Sequence, residues 1–249
     1  FHVNGGSVLV GGGTLMTTGD GYATIQNGSL TVTNGTADFN SVKELLNAYS
    51  GTGNTTVGGS GVLDLRVLRI TQSGTPAVSN VVNVNAGGTI KLRNFSIDTG
   101  QVAPYGTVNL NGGTLQAKIS TDGFLGYNGP KWTTNVFFYV REGGAVIDCS
   151  SNNVSAQLPL LSGAPNDGGL TKRGTGLLTL ANTNTYTGVT SIEAGLLRLS
   201  YPGTLQPDCS VLVASNAVFD VNGKAQTLAG LGGSGLVTNG ALLSVTAAV

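Results

Sequence analysis

The chain has 249 residues, 40 of them glycine, and a formal net charge of zero from 12 basic and 12 acidic side chains. Only 10% of its residues are charged, against about 25% in an ordinary soluble protein, and so few Lys and Arg exclude a nucleic-acid-binding surface. With no glycine at every third position, only 7 prolines and 40% hydrophobic residues, the chain is neither collagen-like nor disordered.

The chain opens at Phe1 with no basic stretch leading into an apolar one, which reads as a processed chain without a signal peptide. From there one unit recurs. A short β-rich run meets two or three residues of Gly, Asn or Glu-Gly type, and a second β-rich run follows. It is SVLV-GGG-TLMT over Ser7–Thr17, ATIQ-NG-SLTVT over Ala23–Thr33 and NTTV-GGS-GVLDL over Asn54–Leu65. It continues as VNVN-AGG-TIKL over Val82–Leu92, TVNL-NGG-TLQA over Thr107–Ala117 and FFYVR-EGG-AVID over Phe137–Asp148. It closes as VTSI-EAG-LLRL over Val189–Leu199, VLVA-SN-AVFDV over Val211–Val221 and LVT-NG-ALLSV over Leu236–Val245. Val, Ile, Leu and Thr suit a pleated, half-buried surface, and Gly and Asn tolerate the backbone of sharp corners.

Such a unit fits a hairpin in an antiparallel sandwich or a corner of a parallel β-solenoid. Sandwich turns recur every 8–12 residues or so. Here Gly88, Gly113, Gly144, Gly176 and Gly195 are separated by 25, 31, 32 and 19 residues, in the range of solenoid repeats. The reading is therefore all-β, a single β-solenoid domain over 1–249. At about 22 residues per coil and about 4.8 Å per coil, it would have roughly 11 coils and a length of about 50 Å. One segment departs from this pattern. Ser41 and Glu44 form a capping box and Leu45 and Leu46 an apolar face, predicting a short helical insertion near residues 41–49.

The stretch Gly168–Leu199 reads GGLTKRGTGLLTLANTNTYTGVTSIEAGLLRL. Its Gly168-Gly169-Leu170-Thr171-Lys172, Gly174, Gly176, Leu178-Thr179-Leu180, Asn184-Thr185-Tyr186-Thr187-Gly188 and Gly195 closely resemble the autotransporter-associated β-strand repeat, or passenger-associated transport repeat. With the continuation Gln226–Gly235, the resemblance marks a module over 168–245. It implies a right-handed parallel β-helix in a bacterial secreted or cell-surface protein. It implies no particular chemistry.

The residues offer little for catalysis. His2 is the single histidine, and a Ser–His–Asp or Cys–His mechanism needs a base oriented by a third group. His2, Cys149 and Cys209 are too few for a zinc site, so no metal or cofactor is expected. Gly230, Gly232 and Gly235 spell G-x-G-x-x-G without the βαβ setting of a dinucleotide fold, and read as a solenoid corner. The 12 acids are scattered, although stacking could align acids from different coils as glycoside-cleaving enzymes require. Cys149 and Cys209 are either a disulfide closing a long loop or two buried thiols. Tyr105, Tyr127, Trp132, Tyr139 and Tyr201 could form a sugar-stacking platform, with Tyr127 and Trp132 of the loop Phe124–Trp132 the best candidates, or that cluster is a small core beneath a long loop. No apolar run reaches the 18–20 or so residues of a membrane helix. Both ends read as strands without a polar cap, which fits either a piece cut from a longer rod or ends that stack on, or donate a strand to, copies of the same chain. The function this predicts is a non-enzymatic extracellular structural protein: a subunit or segment of a surface fibre, sheath or adhesin. A carbohydrate-binding or polysaccharide-cleaving β-helix and a segment of a larger autotransporter adhesin are the alternatives.

Overall fold

In a computed structural model, the described residues are 1–47, 51–71, 80–97, 105–127, 135–239 and 243–248. They form a β-solenoid whose paired strands all run parallel, with no helix. The longest sheet has eleven strands. It runs from Thr14–Met16 through Thr36–Phe39, Val62–Leu65, Thr89–Leu92, Thr114–Ala117, Ala145–Asp148, Leu170–Arg173, Thr190–Ile192, Ser210–Val213 and Gln226–Gly233 to Leu243–Ala248.

The second sheet branches. Its 11-residue strand Tyr22–Val32 pairs along its length with His2–Val10. On the other side its first half pairs with Glu44–Asn47 and its second half with Gly53–Val57. The first half leads on to Val67–Thr71 and Asn94–Ile97. The second leads to Asn80–Asn85, Gly106–Asn111, Val136–Val140 and Leu160–Ser162. A five-stranded sheet, Val154–Ala156 to Leu236–Thr238, carries on the first branch: Phe124 O accepts from Phe95 N, and Thr121 bridges to Val154. Each full coil thus crosses three faces.

Register shows why the repeat is visible but not strict. Thr36 lies opposite Thr14, Val62 opposite Thr36, Thr89 opposite Val62 and Thr114 opposite Thr89, offsets of 22, 26, 27 and 25 residues. Toward the C-terminus Thr190 faces Leu170 and Val211 faces Thr190, offsets of 20 and 21. Along each strand inward side chains alternate with outward ones, as in BiBiBi over Asn80–Asn85. Stacked coils therefore bury one continuous core, with Leu63, Ile90, Leu115 and Ile147 fully buried in successive strands. The corners demand glycine. Gly87 has φ +78°, and a Cβ there would sit 1.9 Å from Gly59 O in the previous coil.

Two expectations are corrected here. Residues 44–47 of the predicted helix form a strand, and 41–43 a turn and bend; residues 48 and 49 lie outside the described residues. Leu45 is hydrogen-bonded in register between Ala23 and Leu68. Those neighbours satisfy the backbone from both sides and override the local capping pattern. Ser41 Oγ instead reaches Thr17 O in the coil before (2.5 Å). In the G-x-G-x-x-G string, Gly230 and Gly232 lie within a strand, opposite Ser210 and Leu212, and only Gly235 lies in the corner, which follows Gly233 with φ +103°.

Candidate functional site

Several acidic side chains tie coil to coil. Glu44 pairs with Arg69 at 2.5 Å, Asp64 with Lys118 at 2.5 Å, Glu193 with Arg173 at 2.9 Å and Asp220 with Arg198 at 2.7 Å. Asp148 accepts from Gln116 Nε2 at 2.8 Å. Stacking does bring one acid pair together. Asp38 and Asp64 lie in register on neighbouring strands, about 4.8 Å apart along the backbone. They sit on the flat outer face of the eleven-stranded sheet, and Asp38 accepts from the Asn40 backbone and side chain. Like charges directly opposite destabilise a sheet by roughly 0.2–1 kcal/mol. Asp38→Asn keeps the acceptor for the Asn40 amide and removes what repulsion the Asp64–Lys118 ion pair leaves. Urea denaturation is expected to show a small gain in stability, and a loss above about 1 kcal/mol would show that the pair is not repulsive.

Among the described residues no group of three His, Cys, Asp or Glu side chains is placed to hold a metal ion. His2 Nδ1 contacts Thr24 Oγ1 at the exposed first coil. Cys149 and Cys209 are free and fully buried. Cys149 follows the strand Ala145–Asp148 and Cys209 precedes Ser210–Val213, three strand steps further along the sheet. That is about 14 Å, beyond the roughly 7 Å between Cα atoms that a disulfide spans. Burial pushes the Cys149 thiol up to about 11, against a lowering by Lys172, and burial also raises Cys209. Both thiols stay protonated and unreactive at neutral pH.

The aromatic candidates separate. Trp132 lies outside the described residues. Tyr127 is 47% exposed, and its ring rests on Gly123, where a Cβ would be 2.1 Å from it. Tyr201 is 80% exposed, and the Lys224 ammonium lies 4.5 Å from its ring centroid. Tyr105 and Tyr139 are brought together by a residue not singled out in the sequence, Phe137. Its ring stacks on Tyr105 at 6.4 Å and 20°, and on Tyr139 at 6.1 Å and 23°. The Arg141 guanidinium lies 5.2 Å from the Tyr139 centroid, within cation–π range.

This aromatic row belongs to a larger surface. Two outward columns run down the second branch of the branching sheet. One is Ser29, Asn54, Val81, Thr107 and Phe137; the other is Thr31, Thr56, Asn83, Asn109 and Tyr139. Asn109 Nδ2 donates to Asn83 Oδ1 at 2.8 Å, and Arg141 donates to Asn109 Oδ1 through Nε (2.8 Å) and an Nη atom (2.6 Å). From His2–Val10 to Leu160–Ser162, no strand of this face contains Asp, Glu, Lys or Arg. The sequence signal was available in the outward letters of these runs, but their alignment needs the register.

Three buried charged residues that periodicity alone did not single out, Asp167, Lys172 and Asp220, lie in the C-terminal coils. Lys172 occupies an inward position between Ile147 and Ile192 and is fully buried. Its Nζ donates to three carbonyls, Arg173 O (3.1 Å), Gly174 O (2.5 Å) and Ala194 O (2.9 Å). Asp167, 6% exposed, accepts from the amides of Gly169, Thr187 and Gly188 and from the hydroxyls of Ser162 and Thr187.

Fold and corner chemistry together define a parallel β-solenoid with a passenger-associated transport repeat in its C-terminal half. The family model described as Passenger-associated-transport-repeat matches residues 170–199, the coil that Lys172 and its carbonyl cage hold. Among curated proteins, the chain is 33% identical over 118 residues to the Adhesin BmaC autotransporter of Brucella suis biovar 1 (strain 1330). The match covers 47% of this chain and 3% of that protein, so the chain spans only a small part of its relative. No solved structure matches.

Proposed function

We propose that this chain is a non-enzymatic segment of a bacterial surface protein, an adhesin-like passenger whose β-solenoid holds binding surfaces away from the cell. The observation that carries this reading is the passenger-associated transport repeat at 170–199, set in a solenoid throughout. Likeness to an autotransporter adhesin supports the same setting. The non-enzymatic part is supported by the acids, four of which are joined to cations of neighbouring coils. An epitope inserted in the natural full-length protein, at the exposed Ser215-Asn216 corner, should be labelled by antibody on intact cells and removed by external protease. Labelling only after permeabilisation would overturn the surface assignment.

End-to-end assembly is the finer part of the proposal. Among the described residues His2–Val10 and Leu243–Ala248 each pair on one side only, and a strand with a free edge is a template for another. Leu9, 68% exposed, and Met16, 65% exposed, lie on the first coil. Light scattering of the purified chain is expected to show growth with concentration. A dispersed monomer at millimolar concentration would rule out self-assembly and leave the surface assignment standing.

A further inference from the structure

The face made by Asn80–Asn85, Gly106–Asn111 and Val136–Val140 is used by none of the intercoil ion pairs. Two properties set it apart. It carries a row of three near-parallel rings, Tyr105, Phe137 and Tyr139, with Tyr105 62% exposed. Its strands contain no acidic or basic residue in a chain that has 24 of them, 12 of each sign. Arg141, just beyond Val136–Val140, is the cation at its rim.

We infer that this face docks an uncharged, extended oligosaccharide, with sugar rings laid along the outward side of the Tyr105–Phe137–Tyr139 row and hydroxyls bonded by Asn109 and Arg141. The inference rests on the chain being an exported surface segment, where glycans are encountered. The chemistry is specific to that ligand class. A pyranose ring presents an apolar C–H face that covers an aromatic ring, while its hydroxyls point sideways toward polar groups. Tyr and Phe supply such contact area at low entropic cost, having few rotatable bonds. Here the rings are also held before any ligand arrives. Phe137 and Tyr139 alternate on one strand, so both face outward, and the Arg141 cation lies over the Tyr139 ring. Less ordering remains to oppose binding.

The polar groups are preset as well. An amide NH2 has two hydrogens and a guanidinium five. Asn109 uses one on Asn83. Arg141 uses its Nε and one Nη on Asn109 and the other Nη on Gly163 O. Hydrogens remain on both for sugar hydroxyls. Charge matching decides between neutral and acidic glycans. A polyuronate laid on this face would place repeated carboxylates against strands with no cation, and the one guanidinium at the rim could meet only one of them.

The test uses the purified chain with four soluble probes: cellohexaose, maltohexaose, chitohexaose and, as the acidic arm, hexagalacturonate. Saturation-transfer NMR and calorimetry are expected to show binding of at least one neutral hexasaccharide and weaker or no binding of hexagalacturonate. Phe137→Ser with Tyr139→Ser should weaken that binding by at least about tenfold, the loss of an aromatic anchor, and Asn109→Ala by a smaller factor. Circular dichroism and the melting temperature should hold, because these side chains point outward. Arg66→Ala, on another part of the surface, serves as the control and should bind like the parent. The inference fails if no neutral probe binds, if the double variant binds like the parent, or if hexagalacturonate binds more tightly than every neutral probe. None of these outcomes bears on surface location, which the epitope experiment reads separately.

Discussion

Replacing Lys172 by methionine is expected to cost the solenoid about 2–4 kcal/mol. Two effects oppose the loss. Methionine removes the desolvation of a buried ammonium, an effect large enough that burial lowers the Lys172 pKa, and it matches its stacked neighbours Ile147 and Ile192. Against this, three carbonyl oxygens lose their donor together, and each hydrogen bond to a charged group is worth about 1.5–3 kcal/mol. The carbonyls lie at a corner and regain some water, which keeps the net loss below the gross total. Lys172→Ala should be worse, because it adds a cavity that neighbouring coils cannot close. In a solenoid each repeat contacts mainly its neighbours, so the damage should be local. Hydrogen exchange should quicken at the Gly176 and Glu193 amides, which bond to Ser150 O and Lys172 O, and stay slow at Val62 and Thr89 in distant coils. A methionine variant as stable as the parent would show that the cage only relieves a charge that need not be there.

Lys172 also shows where the sequence could be read and where it could not. The strand–glycine–strand units are legible because inward and outward positions alternate with a period of two and the corners need small residues. Lys172 keeps that phase in Leu170–Arg173 but puts a charged residue in a core position. Only its long stem and a nearby corner of carbonyls make that possible. The helix expected at 41–49 failed for the opposite reason. A local capping pattern was present, but pairing with Tyr22–Ile25 and Val67–Thr71 determined the strand at Glu44–Asn47. Phe137 and Tyr139 share a face by simple alternation. Asn83, Asn109 and Tyr139 do not become neighbours by any fixed period. They are offset by 26 and 30 residues, whereas C-terminal coils step by 20 or 21. Insertions at the corners change coil length without disturbing the stack, and they hide such columns from the sequence.

Charge distribution connects the two levels. The cations and acids that pair do so across coils, on faces other than the uncharged one. Exposed pairs such as Arg173 and Glu193, both near half exposed, contribute little energy. Their greater use is to fix register, because a slip by one residue would turn every outward side chain into the core. The scarce charge is thus spent on holding coils in step, leaving one broad face neutral.

Asp167→Asn is expected to destabilise the chain by about 2–4 kcal/mol at pH 7, by a deficit that shrinks on acidification. Burial by itself would raise the Asp167 pKa. The amides of Thr187 and Gly188, the Ser162 hydroxyl and the Gly169 amide more than offset it, and the carboxyl ends below its ordinary value of 3.8. A depressed folded pKa stabilises the fold fully above the unfolded value. That contribution is lost as pH falls through the ordinary carboxylate range toward the lower folded value. Asp220 acts in the same direction: burial opposes its ionisation, but Asn239, Arg198 and the Asn222 amide outweigh it. Asparagine cannot replace Asp167, because either orientation turns its NH2 toward backbone N–H groups that need an acceptor. Below the carboxylate range the native Asp167 is protonated and suffers a similar mismatch, so parent and variant should converge. Urea denaturation of both at pH 7, 5 and 3 measures this. A deficit that is the same at pH 7 and pH 3 would mean that Asp167 acts through shape rather than charge.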